Sequence, residues 1–143
     1  MTPQIKMTII GDTQVFARID EINKRVNDLT IPFKKAINVM LRSIDQNFTN
    51  SGRPYPWRPL KLSTLKWKLK HGYSLRPLIR TGALRRSIVG EAQPKKLTIG
   101  TAVGYAPYHQ RGTGSIPQRK FLLFQDKDIK NISKLVSDYV TGK

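Results

Sequence analysis

The sequence predicts an α+β domain: a small, mainly antiparallel sheet packed with an N-terminal helix pair and a C-terminal helix, and a basic, partly flexible excursion over residues 50–80. Three observations carry this reading. Apolar residues recur at helical spacing before residue 50 and after residue 125, and they alternate at period two around residues 5–9 and 87–101. Between these regions, from Asn50 onward, periodicity stops and prolines take over. The 143 residues suit one domain, 1–143, with a single modest core.

Taken in order, Ile5, Met7 and Ile9 alternate with Lys6 and Thr8, which predicts a short strand ended by Gly11-Asp12. Thr13 can cap a helix in which Val15, Ile19, Ile22, Val26 and Leu29 form one stripe. Pro32 suits the first turn of a second helix that buries Phe33, Ala36, Ile37, Met40, Leu41, Ile44 and Phe48. Asn50–Leu60 is a loop with three prolines. Ser63 is a candidate cap for a short basic helix with an apolar line of Leu62, Leu65 and Leu69; its lysines face elsewhere and Gly72 stops it. Thr81 can accept an N–H from Ala83 or Leu84 and start one or two further helical turns. Ser87–Glu91 and Leu97–Thr101 predict a hairpin around the turn that contains Pro94. Phe121–Phe124 is a short apolar run, read as a strand. Asp126 and Asp128 begin a C-terminal helix carrying Ile129, Ile132, Leu135, Val136 and Tyr139.

Charge is the strongest bulk signal. The 26 Lys and Arg against 9 Asp and Glu give a net charge of +17, and ten basic residues lie between Arg53 and Arg86 without one acid. These are Arg53, Arg58, Lys61, Lys66, Lys68, Lys70, Arg76, Arg80, Arg85 and Arg86, candidate contacts to DNA or to an acidic partner. Tyr55, Trp57, Trp67 and Tyr73 are interleaved with them, a pattern that could serve single-strand binding by stacking, although no established nucleic-acid-binding signature is present.

Catalytic chemistry finds little support. There are no cysteines, and the two histidines, His71 and His109, are far apart and have no acid close by in sequence. The nine carboxylates fall mostly at helix starts or on solvated helix faces, and no nucleophile-elbow motif supports a serine hydrolase built on His109. The RGTG glycines lack the spacing and context of a phosphate loop and read better as turn residues. No apolar run is long enough to cross a membrane, and the N-terminus is too short and polar for a signal peptide, which predicts a cytosolic protein; the lack of cysteines and of clustered ligands predicts that it has no cofactor.

Five pieces, taken together and in order, resemble one family. They are Trp57–Leu60, Ser63–Lys68, Pro77–Ile88, Ile99–Gly114 and Pro117–Phe124, and the family is that of the virion morphogenesis proteins of Mu-like phages, related to tail completion proteins. Gln118-Arg119-Lys120 departs from the more usual proline-rich approach to the following Phe-Leu pair. The resemblance implies a non-enzymatic part of a phage or prophage virion that acts in tail completion or head–tail joining. It would assemble in the bacterial host cytoplasm and end in the neck or tail, with other head–tail or tail proteins as partners. It also implies that Tyr105, Tyr108, His109, Gln110 and Gly112 form a structural corner that is a candidate subunit interface. Independently of the resemblance, a small sheet with unpaired edges suits a homo-oligomeric ring, and the excess positive charge suits nonspecific contact with DNA. The alternative reading is a sequence-nonspecific nucleic-acid-binding protein that works through residues 53–86.

Overall fold

The computed structural model describes residues 13–143; the expected strand at Ile5–Ile9, its turn and the Thr13 side-chain cap lie outside the described residues. Two helices come first, α1 (Thr13–Asn27) and α2 (Thr30–Thr49), and the break between them falls where Pro32 enters the first turn of α2. The Asp28 carboxylate accepts the Thr30 N–H at 3.0 Å, and hydrogen bonding to Thr30, from its side chain first and its backbone second, holds the Asp28 pKa below the usual carboxylate value. A loop leads to α3 (Leu62–Lys70) and the single-turn α4 (Ala83–Arg86). Strands β1 (Val89–Gln93) and β2 (Lys96–Gly100) form an antiparallel pair, followed by α5 (Ala106–Arg111) and α6 (Asp126–Thr141).

Helix α2 is the hub. Its apolar stripe of Ala36, Met40, Ile44 and Phe48 is buried, with α6 packed along it and the hairpin laid across it. The hairpin comes close because Gly90 has no side chain: a Cβ there would sit 2.7 Å from Ile37. The core proper gathers Ile44, Phe48, Trp57, Leu84, Ile88, Ala106 and Phe121. Phe48 meets Trp57 edge-on at 5.8 Å and Phe121 at 5.7 Å between ring centroids. Helix α1 packs on α6, and Arg18 and Arg25 donate to the Thr141 and Tyr139 carbonyls in its last turn, where a helix favours cations.

Four sequence expectations need correction. Ser63 is not the cap of α3, which starts one residue earlier behind an extended Lys61. The Leu62, Leu69 line does not face the core: those residues are 67% and 69% exposed, and Lys68 is the side chain that turns inward, 6% exposed. The hairpin is tighter than expected, with Gln93 paired to Lys96 and only Pro94-Lys95 at the turn. Finally, Phe121–Phe124 is not a strand; among the described residues the sheet has two strands, and this segment is held by side chains instead. The Thr81 hydroxyl does accept the Ala83 N–H, at 3.4 Å.

Candidate functional site

The corner expected at Tyr105–Gly112 is α5 and its exit. Gly112 leaves the helix at φ 78°, and its N–H returns to the Tyr108 carbonyl at 2.8 Å. A side chain there would strike the Gln118 backbone, since a Cβ would lie 2.9 Å from the Gln118 nitrogen. The chain then doubles back, and Arg119 N–H donates to the His109 carbonyl at 2.8 Å. Tyr105 and Tyr108 stay largely exposed, with the Tyr105 ring edge-on to His109.

Gln110 and Asn47 take the place of a strand partner for the segment after Arg119. The Gln110 Oε1 accepts the N–H groups of Phe121 and Leu122 at 3.1 and 3.0 Å, and its Nε2 donates to the Leu122 carbonyl at 2.9 Å. From the opposite side, Asn47 Nδ2 donates to the carbonyls of Phe121 and Leu123 at 2.8 and 3.0 Å. Asn47 Oδ1 in turn accepts from Arg53 Nε at 2.9 Å, so a fully buried amide has a partner at each end. Arg53 also donates to the Ser43 carbonyl and hydroxyl, and Ser43 donates to the buried Asp128 carboxylate, which accepts the Gln125 N–H at the start of α6. Sequence reasoning missed Asn47, although an amide three residues after Ile44 and one before Phe48 stands on the apolar stripe of α2.

The ten basic residues of 53–86 do not form one surface. Arg53 is stapled to α2 as described, and Trp57 is in the core with its indole N–H on the Lys120 carbonyl at 3.1 Å. Arg85 makes a two-pronged pair with Asp45, at 2.5 and 2.8 Å, which lowers the Asp45 pKa and raises that of Arg85. Arg86 donates to the Thr81 carbonyl. Trp67 stacks on His71 and Tyr73, at 4.4 and 5.5 Å, and Arg80 lies over the Tyr73 ring. Arg58, Lys61, Lys66, Lys70 and Arg76 remain exposed.

Two cations are instead buried, and one of them, Arg119, was not singled out by the sequence. Lys68 Nζ donates to the carbonyls of Arg76 and Ile79, each at 2.8 Å; Arg119 donates to those of Arg58 and Pro59 at 3.0 and 3.3 Å. Burial first, and the neighbouring Arg119 second, lower the Lys68 pKa; burial and then Arg58 lower that of Arg119. Arg119 and His109 line two adjoining cavities of about 580 and 430 Å³, and Lys68, Arg80 and Tyr105 line the smaller. The buried His109 Nδ1 has no hydrogen-bond partner. Among the described residues no group of three or more His, Asp and Glu could hold a metal, and no helix is long and apolar enough to cross a membrane.

Burial, and then the Arg119 charge, push the His109 pKa below its ordinary 6.5. The unfolded chain therefore binds the proton more readily, so this contribution to stability is complete above about pH 6.5 and is lost as pH falls below it. Urea midpoints measured between pH 8 and pH 5 are expected to fall across that window, and less steeply in His109→Gln. Equal slopes in the two proteins would contradict it.

A sequence model of the phage virion morphogenesis family matches residues 10–141. Over 116 residues the chain is 31% identical to the Mu-like prophage FluMu G protein 2 of Haemophilus influenzae, an alignment that covers 76% of this chain and 76% of that protein. No solved structure matches.

Proposed function

The chain belongs to the phage virion morphogenesis family, and from that premise we propose that it is a non-enzymatic assembly protein that completes the tail or joins head to tail. It works as a ring-like homo-oligomer in contact with other head–tail or tail proteins, first in the host cytoplasm and then in the neck or tail of the virion. The observation that carries this reading is the outward apolar face of α3. Leu62 and Leu69, seven residues apart and so on one face of α3, are 67% and 69% exposed, an arrangement that a monomer gains nothing from and a subunit contact would bury. The outer edges of the hairpin add a second means of association, since neither has a strand partner among the described residues.

Head-to-tail repetition of one such contact closes into a ring when the rotation allows. The basic excursion tightens as it forms, and amide exchange measured before and after assembly reads that change. Light scattering at low and moderate salt, with and without a short DNA duplex, tests the proposal. A closed oligomer without DNA is the expected result, and Leu69→Ala, which removes only exposed surface, should weaken it while leaving the monomer's urea midpoint nearly unchanged. A strict monomer whose mass shifts only with DNA, steeply dependent on salt, would favour the nucleic-acid-binding reading through the exposed Lys61, Lys66, Lys70 and Arg76. A monomer in every condition would remove the ring.

A further inference from the structure

We infer that the paired cavities on either side of Arg119 form a receptor for a carboxylate side chain on an acidic segment of another virion protein. The existence of the receptor is argued from the cavities alone; the source of its ligand rests on the assembly reading above.

Buried cations are ordinarily paired with an acid, because taking a charge out of water is costly unless an opposite charge compensates. Lys68 and Arg119 are each only 6% exposed, and no carboxylate lines either cavity. Backbone carbonyls hold the two heads in place without neutralising them. Lys68 uses two of its three N–H donors on carbonyls, and Arg119 side-chain N–H groups reach two carbonyls out of five donors. Donors are therefore left over on both, and His109, whose buried Nδ1 has no partner, lines both cavities. Arg58 and Lys61 at the larger cavity and Arg80 at the smaller extend the positive field to the rim.

The lining selects the kind of anion. Leu60, Leu78, Ile79 and Leu84 line the smaller cavity together with the cations, which suits the stem of an Asp or Glu and an apolar neighbour. Cations this deep are within reach of a side chain on a peptide, whereas the phosphates of a duplex stay on its outer surface. A second copy is poorly equipped to supply the acid. It carries the same net charge of +17, which opposes its approach, and although Asp20, Asp28, Glu91 and Asp126 are exposed, Glu21 is bonded to Arg18 and Arg25, Asp45 to Arg85, Asp138 to Lys134, and Asp128 is buried against Ser43. A different, acid-rich chain is the fitting occupant.

The probe is fluorescently labelled hexaglutamate, read by anisotropy, with ring resonances of His109 followed by NMR and separated from those of His71 by His71→Gln. Saturable binding that shifts the His109 ring and raises its titration midpoint is expected, because a bound carboxylate favours the charged imidazole. Arg119→Met and Lys68→Met are each expected to weaken binding by about tenfold or more. Because either could disturb folding, Arg58→Ala and Arg80→Ala at the rim provide a second set, expected to weaken binding several-fold, while the Lys66→Ala, Lys70→Ala pair changes it less than about twofold.

Equal losses in the rim and control variants, or peptide binding that leaves His109 unmoved, would overturn the assignment. A short DNA duplex that shifts His109 as strongly as the peptide would overturn the choice of a protein partner. Failure with the peptide leaves the oligomer and particle tests of the assembly role intact. Failure of those tests with peptide still bound at His109 would retain the receptor and remove the assembly reading.

Discussion

Asn47→Ala is expected to cost about 3 kcal/mol, the sum of several buried hydrogen bonds lost at roughly 1 kcal/mol or more each. The amide is fully buried and bridges three separate parts of the chain: α2, the Phe121–Leu123 backbone and Arg53. Removing it strands two carbonyls and a guanidinium N–H where water has little room to replace them. Asn47→Asp gives a sharper comparison. It keeps the acceptor for Arg53 but aims a second oxygen at two carbonyls, so its cost should match or exceed that of alanine. Urea unfolding checks both, and a loss under about 1 kcal/mol for Asn47→Ala would mean that the Phe121–Leu123 segment is held by other contacts.

Phe121→Ala is expected to cost 3–5 kcal/mol, roughly the range for deleting a buried phenyl ring from a packed core. Phe121 is 0% exposed and packs on Phe48, which itself packs on Trp57. The ring therefore joins the post-α5 segment to α2 and to the loop that opens the basic excursion. Its loss should loosen Gln110 and Arg119 as well, and the cavity beside them. Phe121→Leu, which keeps most of the volume, should cost less than half as much. An alanine variant as stable as the parent would show that this segment is not part of the core.

These two residues also show where the sequence was legible. Phe121 stood out as part of an apolar run, and its burial follows from that alone. Its conformation did not, because the run has no periodicity and its hydrogen-bond partners are the amides of Gln110 and Asn47, the latter 74 positions away from Phe121. Helices α1, α2 and α6 were legible because each carries a stripe at its own period, and the hairpin because Pro94 marks its turn, whereas the six-residue α5 is too short to show one. The face of α3 was misread for a physical reason: a lysine stem is apolar, and its head can turn inward when carbonyls meet it, as those of Arg76 and Ile79 do for Lys68. The same holds for Arg119, whose burial depends on carbonyls some 60 residues away. For the basic segment, the count of charges was readable but their division into staples, exposed heads and buried donors was not.

The corner Tyr105–Gly112 had been expected to matter as structure. Gln110 clamps the segment that follows, and Gly112 permits the close return of Gln118, both geometric tasks that need no chemistry. His109 departs from that pattern because its ring, unlike its carbonyl, bonds nothing through Nδ1, and the residue lines both cavities.

The most direct test of an assembly role is electron microscopy of particles made by the encoding phage when this gene is deleted and then restored in trans. Filled heads and separate or incomplete tails, with few joined infectious particles until the gene is restored, are the expected result. Normal numbers of joined, infectious particles in its absence would contradict the assignment.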